Sequence, residues 1–237
     1  MEIIDKTLAT LRAVKAGFYD AIFPRTCVGC GDEGKVWCDA CASKFIPSPM
    51  CAACPFCGLG TSAQTCEVCR TTHALDGLTS LFIYADPRVR KLITGWKYHG
   101  DRVYAEALTQ LIQSQLSSTQ FPEAFETITT VPLHTSRFRA RGFNQAVIVS
   151  HVAACLLNVP SKDLLVRTRR TAPQASIAVE KRNVSDLAGA FVANGPVPAH
   201  ILLCDDVFTT GATMNAAAHA LKQAGAQFVW GLTIAKG

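Results

Sequence analysis

The residues best suited to chemistry are cysteines, of which the chain has 11. Eight of them form four Cys-x2-Cys pairs between positions 27 and 69. Such a pair is typical of a knuckle, a tight turn that directs two sulfur atoms at one metal ion, often with a glycine just beyond it. Gly31 and Gly58 follow two of the pairs in this way. The spacing predicts two structural zinc sites, each with four thiolate ligands, formed by Cys27, Cys30, Cys38 and Cys41 and by Cys54, Cys57, Cys66 and Cys69.

Three alternatives for the metal ligands stay open at the level of sequence. Cys51 lies three residues before Cys54 and competes with it, although Cys54 and Cys57 make the better knuckle. The first and third pairs could share a metal ion instead of the first and second. His73 is either a substitute ligand or a surface residue. Four thiolates leave no open coordination position, which favours a structural role over a catalytic one. For structural zinc the binding free energy is about 10–16 kcal/mol, so metal would supply much of the folding energy of this segment.

A second chemical motif runs from Ile201 to Thr213, where an apolar strand leads into two acids, a Thr/Gly turn and an alanine-rich helix. The turn and the helix N-terminus present backbone N–H groups and the positive end of the helix dipole, which favour a phosphate group. Asp205 and Asp206 can accept hydrogen bonds from two adjacent sugar hydroxyls, and Gly211 lets the backbone approach a phosphate. Hydroxyl donors come from Thr209, Thr210 and Thr213. The layout predicts a ribose-phosphate site where α/β sheets bind ligands. The simpler alternative is a strand–loop–helix corner with two solvated acids.

Alternating β-prone and helical segments must position this motif. Strands are predicted at 78–84, 127–133, 201–204 and 227–235, and helices at 87–98, 102–116, 143–157 and 212–224. This alternation indicates an α/β domain with a mostly parallel sheet. We expect three regions: an N-terminal amphipathic helix in residues 1–24, a double zinc-ribbon module in 25–75 and the α/β domain in 76–237. Cys155 and Cys204, which lie outside the zinc module, are expected in the core.

Composition and charge bound the function classes. Of the 237 residues 49% are apolar and 17% charged, which excludes an intrinsically disordered chain. The formal charge of +5 is local, because residues 131–182 hold nine basic and two acidic side chains. No stretch approaches the about 20 apolar residues that cross a bilayer, and the N-terminus lacks the pattern of a signal peptide. We therefore expect a cytoplasmic protein with no membrane span, in which paired cysteines bind metal rather than form disulfides.

The run from Asp205 to Thr213 resembles the motif with which type I phosphoribosyltransferases bind 5-phosphoribosyl-1-pyrophosphate (PRPP). The chain after Phe23 is similar to the ComF/GntX family, competence-associated proteins with an N-terminal double zinc ribbon. Besides the cysteine segment, the resemblance is carried by Val89–Ile93, Lys97-Tyr98, Val131–His134, Arg137–Gln145, Arg169–Gln174 and Asp205–Thr213. It implies a type I phosphoribosyltransferase-like parallel sheet flanked by helices, joined to a small double zinc-ribbon module.

The resemblance also implies a substrate and roles for residues. PRPP would bind with Mg²⁺, and a nucleophile would displace pyrophosphate from C1 of the ribose. Asp205 and Asp206, the expected catalytic residues, would hold the 2′- and 3′-hydroxyls, and Thr209–Thr213 would hold the 5′-phosphate. The implied PRPP-binding set is Asp205, Asp206, Val207, Thr209, Thr210, Gly211, Ala212 and Thr213, with Leu133, His134, Arg137 and Arg141 on the pyrophosphate side.

Three residues depart from the pattern of such enzymes, and one of them is Ala212, which replaces a second glycine found in many relatives. Thr209 stands where phosphoribosyltransferases for 6-oxopurines usually carry an acid, which leaves no evident general base for a nucleobase. Phe208 is bulkier than the small aliphatic residue expected beside the acids. The acceptor of the phosphoribosyl group is therefore not identified by the sequence.

Two functions from different classes follow. The first is a PRPP-dependent transferase that acts on an unidentified acceptor and is linked to competence and DNA uptake. The second is a non-catalytic adaptor whose zinc module binds DNA or a helicase of the DNA-uptake machinery, with PRPP or a nucleotide as a signal. The basic stretch 131–182 contacts either pyrophosphate or nucleic acid, such as single-stranded DNA.

Overall fold

The computed structural model describes residues 25–47, 52–99, 102–133, 144–168 and 189–237. Six strands lie in these ranges: β1 (Gly77–Ile83), β2 (Thr127–Thr130), β3 (Leu165–Arg167), β4 (Phe191–Ala193), β5 (His200–Phe208) and β6 (Phe228–Lys236). The helices there are α1 (Asp39–Lys44), α2 (Glu67–Arg70), α3 (Pro87–His99), α4 (Arg102–Leu116), α5 (Ala146–Leu157) and α6 (Ala212–Gln223).

The central sheet has four parallel strands in the order β1-β6-β5-β2, and helices flank it. Alternate residues of β5 point to opposite faces of the sheet. Ile201 and Leu203 join a core with α6 and with the outer pair β3 and β4, and Leu202, between them, is equally buried. Helix α5 packs against β2 and β5 and is covered in turn by α4. The α/β class and the parallel sheet predicted from the sequence are confirmed.

Two strands of the sheet differ in length from the prediction. β5 continues to Phe208, because its ladder with β6 extends from His200↔Phe228 to Phe208↔Lys236. The acids of the chemical motif therefore lie within a paired strand rather than in a loop. β2 ends at Thr130, and the predicted residues 131–133 lie beyond the strand, although Val131 N–H still donates to Cys204 O of β5 at 2.9 Å. The antiparallel pair of β3 and β4 was not predicted, since each strand has only three residues.

The two cysteines outside the zinc module have different environments. Cys204 is fully buried in β5, as predicted. Cys155 is exposed, so its predicted core position is wrong. α5 is apolar on more than its buried face, which includes Val149, Val152 and Ala153, and the sequence pattern therefore did not show which side faces solvent.

The chain divides into two compact units, residues 1–46 and 47–237. The first four cysteines of the zinc module lie in one unit and the second four in the other. In the larger unit the second cysteine segment is tied to the sheet, since Thr65 N–H donates to Asp76 O and Leu78 N–H donates to Ala63 O. The predicted boundary between a zinc module in residues 25–75 and an α/β domain in residues 76–237 stays a prediction. The predicted N-terminal helix in residues 1–24 lies outside the described residues.

None of the helices in the described ranges is both long enough and apolar enough to cross a membrane.

Candidate functional site

Each predicted set of four cysteines forms one cluster. Within each cluster the four Sγ atoms lie within 4.8 Å of one another. The Sγ atoms of Cys30 and Cys38 are 3.7 Å apart, as are those of Cys57 and Cys66. Zn–S bonds of about 2.3 Å in a tetrahedron place sulfur atoms about 3.8 Å apart, so the donor sets fit two structural zinc ions. The pairing is sequential, and the crossed arrangement is excluded.

The remaining alternatives concern the second cluster. Cys54 supplies one of its four sulfur atoms, whereas Cys51 lies outside the described residues, so the preference for Cys54 over Cys51 stays a prediction. His73 is not part of the cluster. Its Nδ1 lies 2.9 Å from the carbonyl oxygen of Cys69 and 2.9 Å from Oγ1 of Thr72.

The two clusters repeat the same electrostatic arrangement. Cys27 and Cys54, the first cysteine of each, are buried. Burial opposes ionisation, but hydrogen bonds from backbone N–H groups, among them that of Cys38, lower the pKa of Cys27 to about 6. In the second cluster the N–H groups of Cys57, Cys66 and Phe56 outweigh burial and lower the pKa of Cys54 to about 6. Thiolates are the form that binds metal, so the backbone N–H groups of each knuckle favour the metal-binding form of its first cysteine.

The second candidate site is a cavity of about 240 Å³ at the carboxyl ends of the parallel strands. Its lining comes from the residues after β1 (Tyr84) and β2 (Val131–Leu133), from the end of β5 and its loop (205–209), from the start of α6 (211–214), and from Lys97, Arg167 and Thr233. This is the position at which parallel α/β sheets bind ligands.

The cavity brings together most of the predicted PRPP-binding residues. Lining it are Asp205, Asp206, Val207, Thr209, Gly211, Ala212, Thr213 and Leu133. Thr210 is exposed beside the cavity rather than in its lining, and its Oγ1 accepts a hydrogen bond of 3.5 Å from Ala212 N–H. His134, Arg137 and Arg141 lie outside the described residues. Sequence reasoning did not assign a site role to five lining residues, namely Tyr84, Lys97, Arg167, Met214 and Thr233.

The two acids are held by the backbone and by a cation. Asp206 N–H donates to Oδ1 of Asp205 at 2.8 Å, and Val207 N–H donates to Oδ1 of Asp206 at 2.7 Å. Nζ of Lys97, near the end of α3, lies 2.5 Å from Oδ2 of Asp206. Both side chains of this ion pair are about four-fifths buried, with 18% and 19% of their surface exposed. The carboxylates are therefore fixed before any ligand arrives.

The electrostatics of the acid pair favour one proton on it. Desolvation raises the pKa of Asp205 to about 8, with the charge of Asp206 as the next cause. The N–H group of Asp206 and the charge of Lys97 oppose this rise. At neutral pH the pair thus carries one negative charge opposite Lys97, and a protonated Asp205 can donate a hydrogen bond as well as accept one.

Gly211 shapes the loop between the acids and α6. It has φ of 76° and is the residue that caps the N-terminus of α6. A Cβ atom here would lie 2.8 Å from Cε1 of Phe56 and 2.8 Å from Cε2 of Phe208. Both the left-handed backbone and the close ring contacts therefore require glycine. With Thr213 beside it, the start of the helix presents N–H and hydroxyl donors to the cavity, which suits an anion.

Sequence comparison relates this arrangement to known proteins. No protein-family model matches the chain. Competence protein ComFC of Bacillus subtilis (strain 168) is 30% identical over 197 residues, which cover 79% of this chain and 78% of that protein. The chain belongs to the ComF family. Competence protein F of Haemophilus influenzae is 29% identical to this ComF chain over 208 residues, 82% of the chain and 89% of the relative. DNA utilization protein YhgH of Escherichia coli (strain K12) is 31% identical over 188 residues, which cover 74% of this chain and 80% of that protein.

The relatives confirm the resemblance of the chain to the ComF family. The names of these relatives refer to competence and to the use of DNA. They name no substrate for the cavity.

Proposed function

We propose that this ComF family member binds Mg²⁺-PRPP in the cavity at the carboxyl end of the sheet and transfers the phosphoribosyl group to an acceptor. The process would serve competence or DNA uptake, as the names of the relatives suggest. The observation that carries the proposal is the acid pair Asp205-Asp206 beside the Gly211 turn and the start of α6, all lining one cavity. Two carboxylates match two vicinal hydroxyls, and the turn matches a phosphate.

Each part of the cavity has a role in this reaction. Asp205 and Asp206 hydrogen-bond the 2′- and 3′-hydroxyls, and residues 209–213 hold the 5′-phosphate. Leu133 lies on the pyrophosphate side, together with His134, Arg137 and Arg141, which are outside the described residues. Bound Mg²⁺ would neutralise charge on the pyrophosphate.

Transfer breaks the bond between C1 of the ribose and the pyrophosphate oxygen, and the bonding electron pair leaves with pyrophosphate. The electron pair of the acceptor forms the new bond to C1. Positive charge develops on the ribose ring in the transition state, and the net negative charge of the acid pair stabilises it. The fixed carboxylates also orient the ring, because their positions are set by backbone N–H groups and Lys97.

Calorimetry with Mg²⁺-PRPP tests the proposal. We expect the wild type to bind, and Asp206→Asn to weaken binding at least about tenfold, because the substitution removes a hydrogen bond to a charged group. Asp205→Asn should weaken binding less, because the carboxyl of Asp205 is already protonated at neutral pH. Glu106→Gln is the control, because Glu106 is an exposed acid of α4 that does not line the cavity. The absence of wild-type binding contradicts the proposal. Pyrophosphate release is then measured across a panel of bases and amines to find the acceptor.

A second candidate function is the adaptor, and one observation favours it. Leu59 and Val68, on the second zinc segment, expose 71% and 80% of their surface, which suits contact with a protein partner. In this case the cavity binds PRPP or a nucleotide as a signal, and the zinc module docks a helicase or another DNA-uptake protein. Binding of PRPP without pyrophosphate release across the panel supports the adaptor over the transferase.

The role of the basic stretch is tested separately. Replacement of Arg137, Arg139 and Arg141 by glutamine is followed by anisotropy with single-stranded DNA and by calorimetry with Mg²⁺-PRPP. Loss of DNA binding alone assigns these arginines to nucleic acid, and loss of PRPP binding alone assigns them to pyrophosphate.

A further inference from the structure

An aromatic ring connects the second zinc cluster to the loop of the cavity. Phe56 lies between Cys54 and Cys57 in the knuckle, and its ring stacks on His73 with centroids 3.7 Å apart. The same ring packs edge-to-face on Phe208, with centroids 5.9 Å apart and an interplanar angle of 62°. Its Cε1 also reaches the space beside Gly211, where no Cβ could fit. The Phe56 ring therefore lies against both Phe208 and Gly211, the first and last residues of the loop 208–211.

The position of this ring depends on the metal ligands. Phe56 lies between the ligands Cys54 and Cys57 in the chain, and Cys66 N–H donates to Sγ of Cys54 at 3.4 Å. Gly58 N–H donates to Cys54 O at 3.0 Å and closes the knuckle. A metal ion that holds the four sulfur atoms thus fixes the backbone of Phe56. The ring then takes its place between His73 and Phe208.

A hydrogen bond makes a second connection to the same loop. Ala74 N–H donates at 2.7 Å to Oδ1 of Asn215, a buried residue of α6. Asn215 N–H in turn donates to Gly211 O at 2.8 Å. The residues that follow the second cluster are therefore bonded to the first turn of the helix that the loop begins.

The first cluster has no counterpart of this ring. In its knuckle the position equivalent to Phe56 is Gly29, where a Cβ atom would lie 2.7 Å from Sγ of Cys41. A four-cysteine knuckle in this chain therefore forms without an aromatic residue at that position. The need for Phe56 must come from what its ring contacts, namely the loop.

We propose that Phe56 is a positioning residue for the loop 208–211, and that metal binding by Cys54, Cys57, Cys66 and Cys69 sets the loop in its ligand-binding form. The ligand in question is the one named in the proposed function, on which this inference rests. Phe56 does not touch the reacting atoms. It acts through Phe208 and Gly211, which keep the start of α6 at the cavity.

The first experiment compares Phe56→Ala with the conservative Phe56→Leu in the full chain. Zinc content, affinity for Mg²⁺-PRPP and amide hydrogen exchange of residues 208–215 without ligand are measured. We expect Phe56→Ala to keep its zinc, to weaken PRPP binding at least about tenfold because the loop is misplaced, and to exchange faster in the loop. Phe56→Leu should recover most of both properties. Phe45→Ala is the control, because Phe45 packs on Trp37 in the other compact unit.

The second experiment compares the two four-cysteine clusters. Cys30→Ser and Cys57→Ser remove equivalent, exposed ligands from the first and second clusters. Each should lose one zinc ion, but only Cys57→Ser should weaken PRPP binding and accelerate exchange in the loop. Cys30→Ser also controls for a general effect of zinc loss.

The outcomes separate this inference from the proposed function. If the wild type does not bind PRPP, the proposed function is wrong, and the exchange data alone decide the role of Phe56. If the wild type binds but Phe56→Ala leaves affinity and exchange unchanged, the inference is wrong and the proposed function stands. Equal effects of Cys30→Ser and Cys57→Ser also overturn the inference.

Discussion

Nζ of Lys97 and Oδ2 of Asp206 are 2.5 Å apart, so a helix that follows β1 supplies the counter-charge for an acid of β5. The pair is mostly buried and lies in the lining of the cavity. Removing one partner of a fully buried pair typically costs about 3–5 kcal/mol, because it leaves an uncompensated charge. Because 18% of the Lys97 side chain and 19% of the Asp206 side chain remain exposed, we expect a smaller loss of stability here.

Lys97→Met should therefore weaken both stability and ligand binding. The charge of Lys97 lowers the pKa of Asp205, so its removal should raise that pKa further and reduce the negative charge that the pair offers a ligand. We expect a lower melting temperature and weaker Mg²⁺-PRPP binding, measured by calorimetry. Lys91→Met, an exposed position on the same helix, is the control. Equal behaviour of the two variants would mean that the ion pair has no role in the site.

The raised pKa of Asp205 predicts how stability depends on pH. The folded protein keeps the Asp205 proton up to about pH 8, whereas an unfolded chain releases it near pH 4. The contribution of this group is therefore fully present below about pH 4 and is lost as the pH rises through 8, with a slope of at most about 1.4 kcal/mol per pH unit. Denaturant unfolding of wild type and Asp205→Asn at several pH values isolates this slope. No difference in slope between them would contradict the raised pKa.

Gly211→Ala should be much more harmful than the same change at another left-handed glycine. Gly189 has φ of 70°, close to the 76° of Gly211, but a Cβ there meets nothing within 4 Å. Both variants carry a backbone cost of about 1–2 kcal/mol. Only Gly211→Ala adds steric overlap with Phe56 and Phe208, which should lower the free energy of unfolding by a further amount of about 1–3 kcal/mol. Unfolding free energies of the two variants give the comparison, and equal values would disprove the tight contact.

Metal analysis should find two zinc ions per chain, one for each four-cysteine cluster. Cys54→Ser should retain one ion, because Cys54 completes the second cluster. Cys51→Ser should retain both. Zinc is quantified after denaturation with a chromogenic chelator. Loss of zinc in Cys51→Ser but not in Cys54→Ser would reverse the assignment of this ligand.

Local sequence signals were sufficient for the parts of the site that are contiguous in the chain. The knuckles, the acid pair and the Gly211 turn each follow from residue types at short spacing, and the structure assembles each of them. The strand and helix alternation also gave the parallel sheet. Cys155 shows the limit of periodicity, since α5 is apolar around most of its circumference.

Contacts between distant segments were not predictable in the same way. Lys97 lies in a stretch that carries the family resemblance, but nothing in its spacing indicates Asp206 as its partner. The role of Phe56 is similar, because its contacts are with Phe208 and Gly211, far along the chain. Phe208 looked too large for its position when considered alone. Its ring is buried, and Phe56 lies beside it, so the size of one ring is explained by the presence of the other.

The lining of the cavity has a consequence for any ligand that is a polyanion. Among the lining residues that the structure describes, the acid pair carries one negative charge at neutral pH and Lys97 and Arg167 carry one positive charge each, so this part of the wall has a net charge of only +1. A pyrophosphate group carries several negative charges, and this part of the wall balances only one of them. The balancing cations must arrive with the ligand, as Mg²⁺, or come from the arginine-rich segment that follows Leu133. Binding should then depend steeply on the concentration of divalent cation.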